Sequence, residues 1–96
     1  MANIIIDGVE CEGVHVRTDK SNILLLQGRR GFLGCGYFDL ATANRLGEAF
    51  VIVRGVKTFD DMLNARAVQV SAAASALGVR EGMSGREVMA LLNREP

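Results

Sequence analysis

Cys35 and Asp39 are the side chains whose types and spacing come closest to covalent chemistry. A cysteine is intrinsically nucleophilic, and Gly34 and Gly36 leave this one open on both sides. Asp39 offers a general acid or a polar anchor four positions on, and Arg54 supplies a cation of the kind that activates a thiol. The competing roles are structural. Free cysteine is usually a small buried hydrophobe, and Asp39 stands where a helix N-cap would. Both residues are read first in those roles. His15 is the only imidazole, and strands or subunits would have to bring it to Cys35. It alternates with valines expected to face inward, so His15 is expected to be exposed or interfacial. Cys11, Cys35 and His15 lack metal-ligand spacing, so no metal and no cofactor is assigned.

The second chemistry is anion capture at helix starts. Arg54, Lys57 and Thr58 precede one predicted helix, and Gly82, Ser84, Gly85 and Arg86 surround the start of another. No phosphate-binding or dinucleotide-binding glycine motif accompanies them. Capping explains most of these residues: Thr58 with Asp61, and Ser84 with Glu87. Arg29 and Arg30, between Gly28 and Gly31, read as a solvated hairpin tip.

These residues need elements to hold them. Ile4–Ile6 is a short strand stopped by Asp7-Gly8, a strong hairpin signal. Val9–Arg17 alternates, but its phase slips at Glu12-Gly13, which suggests a bulge. Ile23–Leu26 is apolar on both faces, so the strand expects cover on both sides. The Gly28–Gly31 turn returns the chain as a strand over Phe32–Phe38. That strand has Phe32, Gly34, Gly36 and Phe38 on one face and Leu33, Cys35 and Tyr37 on the other. Its two glycines should leave a groove. A helix then runs from Leu40 to Leu46, with Leu40, Ala43 and Leu46 on one face, between Asp39 and Gly47. Ala49–Val53 is a buried strand, which makes a βαβ unit with one parallel pair. A short helix from Thr58 to about Leu63, a strand over Arg66–Val70, a helix over Ala72–Leu77 and a helix from Ser84 to about Asn93 complete the chain.

The expected fold is therefore α+β: an antiparallel meander continuing into a mixed sheet, covered by short C-terminal helices. Residues 1–96 are read as a single domain, with a β-region over 1–38 for oligomerisation and an αβαβαα region over 39–96. Hydrophobic residues make up 49% of the chain, more than one small core needs, and the surplus suggests subunit contacts. Eleven basic residues balance eleven acidic ones, which gives nucleic acid no electrostatic footprint. No apolar run reaches a membrane span. With two cysteines and no signal-peptide pattern, a cytoplasmic protein is expected.

Three strings carry a resemblance: Cys35-Gly36-Tyr37-Phe38-Asp39, Arg54 to Leu63 (RGVKTFDDML), and the tail from Ala76-Leu77-Gly78-Val79 through Glu81 to Glu87 (EGMSGRE). In combination the chain resembles the small YunC-like proteins of bacteria and archaea, a domain of unknown function numbered 1805. The resemblance is strongest from Gly34 to Leu92. It implies an α+β fold whose N-terminal β-region builds a homotetramer. It implies no activity and assigns no catalytic residue. The leading expectation is a non-enzymatic homo-oligomer, structural or ligand-binding, with itself as partner. The alternatives are a small enzyme with an interface site using Cys35, Asp39 and Arg54, or an anion-binding module at the helix starts.

Overall fold

A computed structural model describes residues 2–95. The chain opens as a meander of β1 (Ala2–Ile6), β2 (Val9–Arg17), β3 (Asn22–Gln27) and β4 (Phe32–Gly34), each antiparallel to the one before. Asp7 and Gly8 both take positive φ, 50° and 81°, as the tight β1–β2 turn demands. Helix α1 (Leu40–Leu46) then leads to β5 (Phe50–Ile52), which lies parallel to β4. Helix α2 (Phe59–Asn64), strand β6 (Gln69–Val70), antiparallel to β5, and helices α3 (Ala72–Ala76) and α4 (Gly85–Leu92) follow. The result is a six-stranded mixed sheet whose spatial order is its chain order, with four short helices: an α+β fold.

Alternation along the strands decides which residues meet which helices. Leu24, Leu26, Leu33 and Val51 point to the inner face, where Met62 of α2 and Val88, Met89 and Leu92 of α4 join them in the main core. Phe50 and Ile52 point to the outer face, where Ala43 of α1 covers them together with Phe32, Phe38 and Leu40. That cover spans β4 and β5 and reaches Leu25 of β3, which packs against the same cluster. Over β1–β3 the same face carries Val14 opposite Leu25, Val16 opposite Ile23, and Ile5 on β1. Ile5 is 71% exposed and Val16 49%.

Several local expectations are corrected. No bulge breaks β2, because its register runs unbroken through Glu12 and Gly13 against both neighbours. Gly13 instead makes room on the inner face: a Cβ there would lie 2.7 Å from the Phe59 ring. Val14 and Val16 accordingly face outward, away from the helices. His15 is exposed at the rim of the inner face, edge-on to Phe59 at 6.0 Å and hydrogen-bonded to Asn22 at 2.7 Å. Strand β4 stops at Gly34 rather than Phe38, because the chain turns to start α1, and the Phe38 N–H closes that turn on the Cys35 carbonyl at 3.3 Å. Tyr37 thereby swings out, 59% exposed. The expected groove at Gly34 is filled, since the Phe38 and Phe50 rings occupy the space a side chain would take. Leu46 is not part of the α1 contact and stands 61% exposed. The strand expected over Arg66–Val70 shortens to Gln69–Val70, and Arg66 makes an isolated bridge to Ser84.

Candidate functional site

Parallel strands end on the same side of a sheet, and ligand clefts in α/β sheets form at their carboxyl ends. Strands β4 and β5 end together here, and the antiparallel β3 begins beside them. The three segments that leave or enter at this end enclose a cleft of about 590 Å³. Lys20 to Asn22 come from the β2–β3 loop, Cys35 to Tyr37 from the turn after β4, and Gly55 to Lys57 from the loop before α2.

Each wall has a local cause. In the β2–β3 loop, the Thr18 hydroxyl accepts the Ser21 N–H at 2.8 Å, and the Thr18 N–H reaches the Ser21 carbonyl at 2.9 Å. This holds Ser21 so that its hydroxyl meets the Tyr37 phenol at 2.7 Å. Cys35 lies in the floor, only 4% exposed. Its sulfur accepts the Leu24 N–H at 3.3 Å and lies 3.9 Å from the Asn22 carbonyl. The Arg54 guanidinium is at the margin, with Nη1 3.0 Å from where a side chain on Gly36 would begin. Loop 55–57 is tied to α2 by the Lys57 N–H, which donates to the Asp61 carboxylate at 3.0 Å.

The sequence-derived candidates separate. Cys35 lines the cleft, and Arg54 stays outside its lining with its guanidinium beside Gly36. Asp39 does not line it: its carboxylate caps α1 through the Ala41 N–H at 3.1 Å and faces a neighbouring hollow with Thr42 and Glu48. At the start of α2, Thr58 accepts the Asp61 N–H at 3.0 Å, and Asp60 and Asp61 put two carboxylates in the first turn, where they oppose an anion. At the start of α4 a full capping box forms, with the Glu87 N–H on Ser84 at 3.2 Å and the Ser84 N–H on Glu87 at 3.0 Å. Gly85 donates to the Ala65 carbonyl, and Arg86 pairs with Asp7 at 2.8 Å. Of the anion candidates, Lys57 alone lines the cleft. Among the described residues no three His, Cys, Asp or Glu side chains converge as metal ligands, and no helix is long and apolar enough to cross a membrane.

Lys20, Ser21 and Asn22 are lining residues to which the sequence alone assigned no role. The signal was present in the hairpin. Once the Gly28–Gly31 turn sets Leu25 against Gly34, the residues just before β3 must lie beside those just after β4.

Comparison with known proteins places this geometry among relatives without assigned activities. A family model described as a domain of unknown function (DUF1805) matches residues 34–92. An uncharacterized protein, YunC, from Bacillus subtilis (strain 168) is 36% identical over 90 residues, covering 90% of this chain and 89% of its own. The crystal structure of a protein of unknown function, TA1206 from Thermoplasma acidophilum, superposes with a TM-score of 0.89 at 34% identity, over 95% of this chain and 89% of that one.

Proposed function

This chain belongs to the DUF1805 family, and we propose that it acts as a homo-oligomer, assembled through the outer face of β1–β3, which scaffolds or binds and performs no covalent chemistry at Cys35. The observation that carries this reading is the half-covered sheet. Helix α1 shields Phe50 and Ile52, and Leu25 packs against the same cluster, whereas Val14, Val16 and Ile5 lie on the outer face beyond it and join neither core cluster. Asn3, Glu10, Glu12 and Gln27 share this face, so its apolar part is a patch around Val14 and Val16, set apart from Ile5, with a polar rim of the kind that borders an interaction surface. A second copy is the favoured occupant, because the formal net charge is +0 and leaves copies without long-range repulsion. A face contact relates two copies by a two-fold axis, and the free edge of β1 offers a second. Two perpendicular contacts of that type close a tetramer. The burial of Cys35 supports the non-covalent half of the reading.

Sedimentation velocity tests the assembly. The wild-type chain should sediment as a tetramer, or as a dimer when dilute. Val14→Lys should shift it toward monomer while far-ultraviolet circular dichroism is retained, because Val14 points outward and packs in neither core cluster, whereas Leu25 packs against the Phe50–Ile52 cluster. Leu24→Lys is unsuitable, since Leu24 is fully buried in the core. A wild-type monomer at micromolar concentration would defeat the proposal. In the same samples Cys35 should react slowly with a thiol reagent until the chain is unfolded. Fast native labelling would favour an enzyme instead.

A further inference from the structure

We propose that the cleft at the carboxyl ends of β4 and β5 binds a small organic anion, a phosphate or carboxylate carrying an apolar group. The lining supplies both halves of that recognition. Lys20 and Lys57 line the cleft from loops on opposite sides of Cys35 in the chain, and Arg54, just outside the lining, has its guanidinium beside Gly36. No Asp or Glu lines the cleft. The ion pairs among the described residues are Arg29–Glu95 and Arg86–Asp7, so none of these three cations is neutralised by one. Convergent unpaired cations without an intervening carboxylate select negative charge. The Ser21–Tyr37 pair adds a donor: when Ser21 donates to the phenol oxygen, the phenol proton is left for an oxygen of the ligand. The apolar half is built from Tyr37 and Val56, over the nearly buried Cys35. Gly36 and Gly55 put bare backbone into the walls, which lets a flat group come close. Cys35 forms part of the floor, a contact surface rather than a reactive group.

This inference goes beyond the assembly and does not depend on it, because every lining residue comes from one chain. The probe is phenyl phosphate, with benzyl alcohol as its uncharged match, followed by amide chemical shifts of the full chain. Phenyl phosphate should shift Gly36, Tyr37, Gly55 and Lys57 saturably at millimolar concentration, and benzyl alcohol should not. Lys20→Ala combined with Lys57→Ala removes two exposed side chains and should weaken binding about tenfold or more. The Val14→Lys variant should bind as the wild type does, which separates this site from the oligomer contact. Shifts that do not saturate, fall elsewhere, survive the double lysine substitution or follow the alcohol equally would overturn the proposal.

Discussion

Ser71 is fully buried, and its hydroxyl serves three backbone groups. It accepts the Ala74 N–H at 3.2 Å as the cap of α3 and the Phe50 N–H at 2.8 Å from β5, and it donates to the Glu48 carbonyl at 2.8 Å. Ser71→Ala strands two buried polar groups and removes a cap, so it should cost about 2–3 kcal/mol in urea unfolding. A loss below about 1 kcal/mol would mean that water replaces the hydroxyl. A serine before a run of alanines is legible as a cap. Its bond to Phe50 is not, because that partner is 21 positions away and is set by the β5–β6 pairing. Glu87 makes a residue-scale prediction about pH. Hydrogen bonds from the Ser84 backbone, then from its side chain, hold the Glu87 carboxyl below its ordinary value of 4.5. A depressed carboxyl stabilises the fold above that value, and the contribution is lost as pH falls through the folded-state value. Glu87→Gln should therefore be less stable than wild type at neutral pH and should converge with it as pH falls below 4.5, read from urea midpoints. A gap that stays constant across that range would show that the charge does not matter.

At the scale of elements, glycine contacts set how the helices dock. A Cβ on Gly85 would collide with the Met62 carbonyl of α2, so α4 can lie against α2 only with glycine at its first position. Gly85→Ala should destabilise by about 1–3 kcal/mol through overpacking, measured by the denaturant midpoint. A neutral result would show that α4 shifts without cost. The sequence places Gly85 beside a capping serine and so invites an anion-site reading; only the packed pair α2 and α4 reveals a contact glycine. Gly13 is the same case, a phase slip on paper and a seat for Phe59 in the fold. The capped helices and the Asp7-Gly8 hairpin were legible because their determinants lie within a few residues of one another. The end of β4 was not, because the turn to α1 depends on where Phe38 packs, 5.5 Å from the Phe50 ring.

At the scale of the whole molecule, apolar surface is distributed unevenly. The inner face is closed by α2 and α4 around a core that includes Leu24 and Leu26, while the outer face is closed only where α1 reaches. The apolar excess in the composition and the two-faced Ile23–Leu26 run made that imbalance legible in the sequence. Which of Leu24 and Leu25 points outward was not legible, because it depends on a pairing register fixed by the turns. The cleft was the least legible feature. It is assembled from three loops, each ordinary by itself, brought together by the parallel pair β4 and β5.

The sheet whose spatial order is its chain order also has a kinetic meaning. Each strand of the meander finds its neighbour across a short turn, so the loop entropy to be overcome is small and β1–β4 can form early. Helix α4 is the exception. It packs on α2 and β4, and the Leu92 carbonyl accepts the Arg30 N–H at 2.7 Å from the β3–β4 turn. That closure joins segments about sixty positions apart in sequence, and it should come after the rate-limiting barrier. Ser84→Ala, which should cost about 1 kcal/mol by loss of the cap, should therefore speed unfolding and leave refolding unchanged in stopped-flow measurements. A slowed refolding arm would place α4 in the nucleus. With late docking, the inner face of the meander stays open to solvent until α4 closes over it.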